Sequence, residues 1–484
     1  MYAILIYFWP LVFNKMPGNR VKALKKKNQK YVMKVKWLFL FFILVSTNLF
    51  AQHTIQGKFT GIADKNIYLM DYHEGRQQII DTTQTDQNGN FSFTLDNTKK
   101  PGIYIVYAGP EHLLELVYNK EDIQFETTGS SINDKINFIK SKENKIYYDY
   151  VYVKIENQNK LNLLRPTIRN YPKDDPFYKT MVNEYNTLVK QIDNTVKVAL
   201  INDPDKLATR YIRSDEPVIP PAGLTQEEEN EYLKKHFLDH VDFYDTALIN
   251  SSILSSKVVG YLQLFQSKNM TKEQAEDAMK PAVDTILEKA TLNGEVYGFV
   301  LDYLVGGFET VGFDNLLIYL ANNEAADNIC EDSTRSEVKN KLELAKKLAI
   351  GAVAPEIKVD DINGKLFDLH KFNTDKKTVL VFWASWCPHC TQTLPKLKNL
   401  YDANPGKFDV VAVSVDDDIK ALKDAVSNFG FTWTNIAEGM GWDGKIPLEY
   451  GISGTPTFFV LDKDKKIISK PRDMQELKQA LALP

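Results

Sequence analysis

Thr378-Val-Leu-Val-Phe-Trp-Ala-Ser-Trp-Cys-Pro-His-Cys390 is an apolar run that ends in two cysteines separated by two residues. Such an apolar run predicts a buried strand, and the cysteines fall where it hands over to a helix. The first thiol then lies against the unpaired N–H groups of the helix's first turn, where a thiolate is favoured. Two thiols one turn apart can close into a disulfide. The spacing predicts a dithiol/disulfide redox centre, Cys387 and Cys390, that needs no other cofactor.

Around this stretch the order is strand pair (356–369), strand (378–383), helix (388–402), strand (408–415), helix (419–429), strand (457–461), strand (466–470) and helix (474–481). Alternating strands and helices predict a central sheet covered on both faces. Upstream the text differs. Residues 54–60, 65–70, 89–95 and 102–107 alternate or run apolar between turn residues, which predicts a small β sandwich or barrel. Longer segments at helical spacing follow at 177–200, 226–243, 272–290, 296–305 and 333–348, with proline-rich breaks at 172–176 and 217–221. The expected organisation is a leader (1–51), an all-β domain (52–130), a mainly helical region (131–348) and a C-terminal α/β domain (349–484).

The chain has 484 residues, of which 25% are charged and 44% hydrophobic. That composition is globular, and it excludes both a membrane bundle and a disordered chain. The segment from Met33 has a short basic start, an apolar core over 37–45 and a small residue at Ala51, the pattern of a secretory signal peptide. Met33 is then the expected initiator, and a retained anchor is the alternative. Nine of the 59 basic residues fall in 1–51, leaving 50 against 63 acidic groups and a net charge of about −13 in the mature chain. Nucleic-acid binding, which wants basic surface, is not expected. Export to a periplasm or cell envelope fits a dithiol that meets disulfide chemistry.

The chain has three cysteines, too few for a zinc site without His370 or His389, and no second Cys-x-x-Cys is present. Cys330 reads as a spare thiol. His236 and His240 fall four apart, but no acidic motif completes a metal site, so a solvated face is the expectation. No metal site is expected. A peroxidatic cysteine is also excluded, because Leu380 and Ala384 stand where that motif wants proline and threonine.

Gly454-Thr-Pro-Thr457 adds a second piece, and with Trp386-Cys-Pro-His-Cys390 it resembles the thioredoxin superfamily. Ala354-Pro355 and its lead-in, Asp361-Ile-Asn-Gly364, Phe382-Trp-Ala-Ser-Trp386, Val413-Ser-Val-Asp416 and Gly451-Ile-Ser-Gly-Thr-Pro456 together resemble its exported TlpA-like thiol-disulfide oxidoreductases, over about residues 349–484. The resemblance implies a thioredoxin-like fold, Cys387 as the more exposed nucleophile, Cys390 as the resolving thiol, and a cis Thr455-Pro456 bond beside them. It also implies that Trp386, Pro388 and His389 tune the thiol or meet substrate. A cationic His389 would make the couple more oxidising and hold Cys387 between the values of about 7 and 3.5 that thioredoxin and DsbA span.

Two family features are missing. Val381 stands where thioredoxin has a buried aspartate, and Thr393 where many TlpA-like proteins have glutamate, which leaves Glu438 and Asp443 as minor candidates for a proton acceptor. Gly57-x-Phe59, Asp86-x-x-Gly89-x-Phe91 and Pro101-Gly-x-Tyr104 resemble an uncharacterised N-terminal domain of exported Bacteroidetes thioredoxin-like proteins. Residues 236–262 resemble a second, helical one. The expected partners are exported protein thiols or disulfides and an upstream redox protein, with the N-terminal domains as a candidate homodimer interface. The competing class is a cell-envelope scaffold with a weakly used redox module.

Overall fold

A computed structural model describes residues 52–483 except 74–75, 110–112, 129–134, 323–332 and 373–374. The leader and Cys330 lie outside the described residues.

Eight strands open the chain: β1 (His53–Phe59), β2 (Asn66–His73), β3 (Arg76–Gln84), β4 (Asn90–Leu95), β5 (Gly102–Tyr107), β6 (Leu113–Tyr118), β7 (Ile123–Thr127) and β8 (Asn137–Lys140). They form two four-stranded sheets, ordered β4-β1-β7-β8 and β3-β2-β5-β6. Alternation turns Ile55, Phe59, Phe91 and Phe93 of one sheet and Ile67, Leu69, Val106 and Leu116 of the other into a shared apolar core. That is a sandwich. Its first sheet continues past residue 130, because β8 pairs with β7.

The helices that follow are α1 (Lys142–Asn170), α2 (Pro176–Asn202), α3 (Leu207–Asp215), α4 (Gln226–His236), α5 (Ile253–Gln263), α6 (Lys272–Ala290), α7 (Gly294–Val311), α8 (Asp314–Asn322) and α9 (Ser333–Lys347). The helix expected over 226–243 ends at His236, where it becomes turns. His236 and His240 therefore share no helical face: Nδ1 of His236 lies 2.7 Å from Asp239, and that of His240 lies 3.5 Å from Glu216. Asn144 ties α1 to the sandwich, accepting from the Val117 N–H at 2.8 Å and donating to its carbonyl at 2.8 Å. The helices and the sandwich pack around one continuous core.

The last unit contains β9 (Lys358–Asp360), β10 (Leu366–Asp368), β11 (Lys377–Trp383), α10 (Pro388–Ala403), β12 (Phe408–Ser414), α11 (Ile419–Phe429), β13 (Thr434–Ala437), α12 (Lys445–Glu449), β14 (Thr457–Leu461), β15 (Ile467–Ser469) and α13 (Met474–Leu481). Its five-stranded sheet is ordered β13-β12-β11-β14-β15, with β12 and β13 parallel to their neighbours and β14 antiparallel to β11. Alternate residues of β11 feed two cores: Val379, Val381 and Trp383 on one face, Leu380 and Phe382 on the other. This double burial is why the strand reads as an unbroken apolar run. The architecture is a β sandwich, a helical region and a C-terminal α/β thioredoxin-like sheet. Among the described residues, no helix is long and apolar enough to cross a membrane.

Candidate active site

The β11 strand delivers the chain to the site, and β12 beside it supplies an anchor. Asp416, buried just past the end of β12, accepts from the Ser385 N–H at 2.9 Å, the Ser385 hydroxyl at 2.5 Å and the Ser414 hydroxyl at 2.5 Å. These bonds hold the turn that leads from β11 into α10. Cys387 is the N-cap of α10, and its sulfur accepts from the Cys390 N–H at 3.3 Å. Pro388 sits at the first helical position, where a missing N–H costs nothing. One turn further in, Cys390 is fully buried.

A second element meets the thiols from the other side. In the antiparallel pairing of β11 with β14, Phe382 faces Thr457, so the residues just before β14 lie beside the start of α10. The Thr455-Pro456 peptide bond there is cis. The Cys387 thiol donates to the Thr455 carbonyl at 3.5 Å, across 68 positions of sequence. This carbonyl and the N-cap position cover the sulfur: Cys387 is the more exposed of the two cysteines, but only 5% of it meets solvent. Both are free thiols.

Their acidities are driven apart. Burial pushes the Cys387 thiol up, but hydrogen bonds from the Cys390 and Thr455 side chains and from the backbone N–H groups of Cys390 and His389 outweigh it, and the net direction is down. For Cys390, burial and its hydrogen bond to Cys387 act together, pushing it up to about 12. One thiol is prepared to ionise and the other to keep its proton.

The remaining sequence candidates are distributed unevenly. Pro388 and His389 are exposed on the first turn of α10, and His389 contributes through its backbone. Trp386 is 58% exposed beside Cys387, whereas Trp383 is fully buried in the sheet core. Val381 is buried and offers no carboxylate. Glu438 accepts from the Ile446 N–H at 2.8 Å, capping α12, and Asp443 is exposed. The His370 ring is held by the Ala354 carbonyl at 2.8 Å. No group of metal-ligating side chains is found among the described residues.

Sequence reasoning missed two contributors. Asp416 was visible only as part of a strand-end motif, although an acid directly after Val-Ser-Val signals a buried carboxylate needing partners. Trp442, 38% exposed, approaches Trp386 edge-on with ring centroids 6.4 Å apart. An aromatic in the glycine-rich stretch Gly439-Met-Gly-Trp-Asp-Gly444 was its only signal.

Comparison with known proteins finds similarity over three parts of the chain. The Redoxin family model matches residues 349–478, and two models described as domains of unknown function, DUF5106 and DUF4369, match 183–347 and 53–159. The thiol-disulfide oxidoreductase ResA of Bacillus thuringiensis is 32% identical over 135 residues, 28% of this chain and 76% of that protein. A thioredoxin-like protein from Bacteroides caccae, of solved structure, is 22% identical over 55% of this chain and 96% of its own, with a TM-score of 0.42. The C-terminal domain of a thiol-disulfide oxidoreductase from Bacteroides thetaiotaomicron is 24% identical over 28% and 95%, with a TM-score of 0.27. With a paired Cys387 and Cys390 at the head of α10 and this kinship across its last third, the chain belongs to the ResA-type thiol-disulfide oxidoreductases.

Proposed function

We propose that the chain exchanges disulfides with exported proteins through Cys387 and Cys390, in a periplasm or cell envelope. One observation carries the assignment of roles: Cys387 alone stands at the N-cap of α10 with its thiol drawn down, while Cys390 is fully buried and drawn up. In the reducing direction the Cys387 thiolate attacks one sulfur of a substrate disulfide. That S–S bond breaks, a mixed disulfide forms, and the leaving sulfur takes a proton. Cys390 then loses its proton and attacks the Cys387 sulfur, which releases the second substrate thiol. The substrate gains two electrons and two protons, and the chain retains the Cys387–Cys390 disulfide. Run backwards, the same steps oxidise a dithiol.

Pro456 and Thr455 position the loop against Cys387, Pro388 sets the helix start, and His389 tunes the couple from the exposed rim. A partner redox protein resets the pair after each turnover. The signal-like leader supports export, and an exported dithiol meets disulfide chemistry.

Insulin reduction by the full chain tests the reading. Turnover is expected with dithiothreitol as the electron source, Cys387→Ser is expected to abolish it, and Cys390→Ser is expected to stop it after one mixed disulfide. Turnover that survives Cys387→Ser would contradict the assignment.

A further inference from the structure

The helical region supplies part of the redox unit's own core. Leu348, just past α9, is buried with Leu380, Phe382, Tyr450 and Phe459, and Leu344, four residues earlier on α9, packs against the same group. Leu344 also meets the start of the loop that ends at the cis bond. A Cβ on Gly451 would come within 2.4 Å of its Cδ2, and Gly451 has φ +58°, so a residue without a side chain lets α9 close on the loop. The N–H groups of Gly451 and Ile452 are bonded to the Leu448 and Pro447 carbonyls at 3.2 and 2.9 Å, and beyond the loop Thr457 faces Phe382 across the sheet. Between those ends stands Thr455, whose carbonyl accepts from the Cys387 thiol at 3.5 Å. From Gly451 to Thr455 is four residues, at most about 14 Å of chain. Two further ties cross the same seam, Lys470 to Asp314 at 3.4 Å and Arg472 to the Val311 carbonyl at 3.3 Å. Those fasten residues after β15, whereas Leu344 bears on the loop itself.

We infer that Leu344 is a positioning residue for the exchange reaction: seated against Gly451, it fixes the loop of residues 451–456 and with it the place of Thr455 beside Cys387. This inference rests on the proposed role of Cys387 and adds to it a contribution from outside the redox unit. Close-packed interiors hold each group by the atoms on its far side, so a side chain removed from behind the loop gives the loop room to shift. Thr455 is among the groups that draw Cys387 downward, and its side chain acts on Cys390 in the same direction. A loop that drifts from Cys387 therefore leaves the thiolate less stabilised, and exchange at neutral pH slows with the thiolate fraction. A helical region that merely carried the redox unit would leave both quantities unchanged.

The test is the pH profile of iodoacetamide alkylation in the reduced full chain, followed at Cys387 by mass spectrometry. Leu344→Ala is expected to move the midpoint upward by about half to one pH unit, which below the midpoint means about three- to tenfold less thiolate. Insulin reduction at pH 7 is expected to slow in step. Leu344→Met, which nearly keeps the volume, is expected to restore both. Ile55→Val trims the sandwich core and is expected to lower the melting temperature without moving the midpoint, which separates lost stability from lost positioning. If Leu344→Ala does not fold, Leu344→Val gives the reading, with a smaller shift of the same sign. An unmoved midpoint in a folded Leu344→Ala or Leu344→Val chain, or an equal rise in Ile55→Val, would overturn the inference and leave the exchange reaction standing. A native chain that reduces neither insulin nor hydroxyethyl disulfide would strike instead at the proposed function.

Discussion

At Cys387, burial and hydrogen bonding pull the thiol in opposite directions and hydrogen bonding prevails. The folded value lies below the ordinary one, so the thiolate persists to lower pH. The rate of iodoacetamide alkylation should therefore rise with its midpoint below the free-cysteine value of about 8.5. Cys390→Ala removes a stabilising donor and should move that midpoint upward; an unmoved midpoint would dismiss the Cys390 thiol as a cause. His389 contributes a backbone N–H, and its imidazole stands exposed on the rim of the site. The couple should accordingly be more oxidising than thioredoxin's roughly −270 mV, and His389→Ala should lower it. Equilibration of both proteins with glutathione reads the difference, and identical potentials would remove His389 from the mechanism.

The turn between β11 and α10 depends on Asp416, which serves both Ser385 and Ser414. Asp416→Ala strands buried donors and should cost about 2–3 kcal/mol, measured by urea unfolding, with slower alkylation of Cys387 at fixed pH. Elements of this last unit were legible because each has a clean period: a run buried on both faces for β11, one apolar stripe for α11 and α13. α1 was not legible. It buries Tyr147, Tyr148 and Tyr150 together with Glu143, Asn144 and Asn157, a face that no apolar template detects. β3 escaped for the opposite reason, since almost all of it is exposed. At the site, the thiols could be read from residue type and spacing, and the Thr455-Pro456 loop from the resemblance that Gly454-Thr-Pro-Thr457 carries. Trp442 and the anchoring role of Asp416 could not, because both depend on contacts made only when β12 and the turn before α12 fold against β11.

Across the whole molecule, the helical region leans on the redox unit near its working loop. Lys470 pairs with Asp314 at 3.4 Å, and Arg472 donates to the Val311 carbonyl at 3.3 Å. A cavity of about 230 Å³ lies between α7, α9 and residues 450–459. Gly451, at φ +58°, accepts the side chain of Leu344 where a Cβ would come within 2.4 Å of it. Gly451→Ala combines a left-handed backbone with that collision, and should cost at least about 1–2 kcal/mol and lower the melting temperature. An unaltered melting temperature would mean that the two units part there without penalty.

The most direct measurement is to mix the reduced Cys390→Ser chain with a disulfide-bonded protein, quench in acid and map the adduct by mass spectrometry. A mixed disulfide at Cys387 is the expected product. An adduct at Cys330 instead, or none at any cysteine while the native chain still reduces the same substrate, would contradict the account.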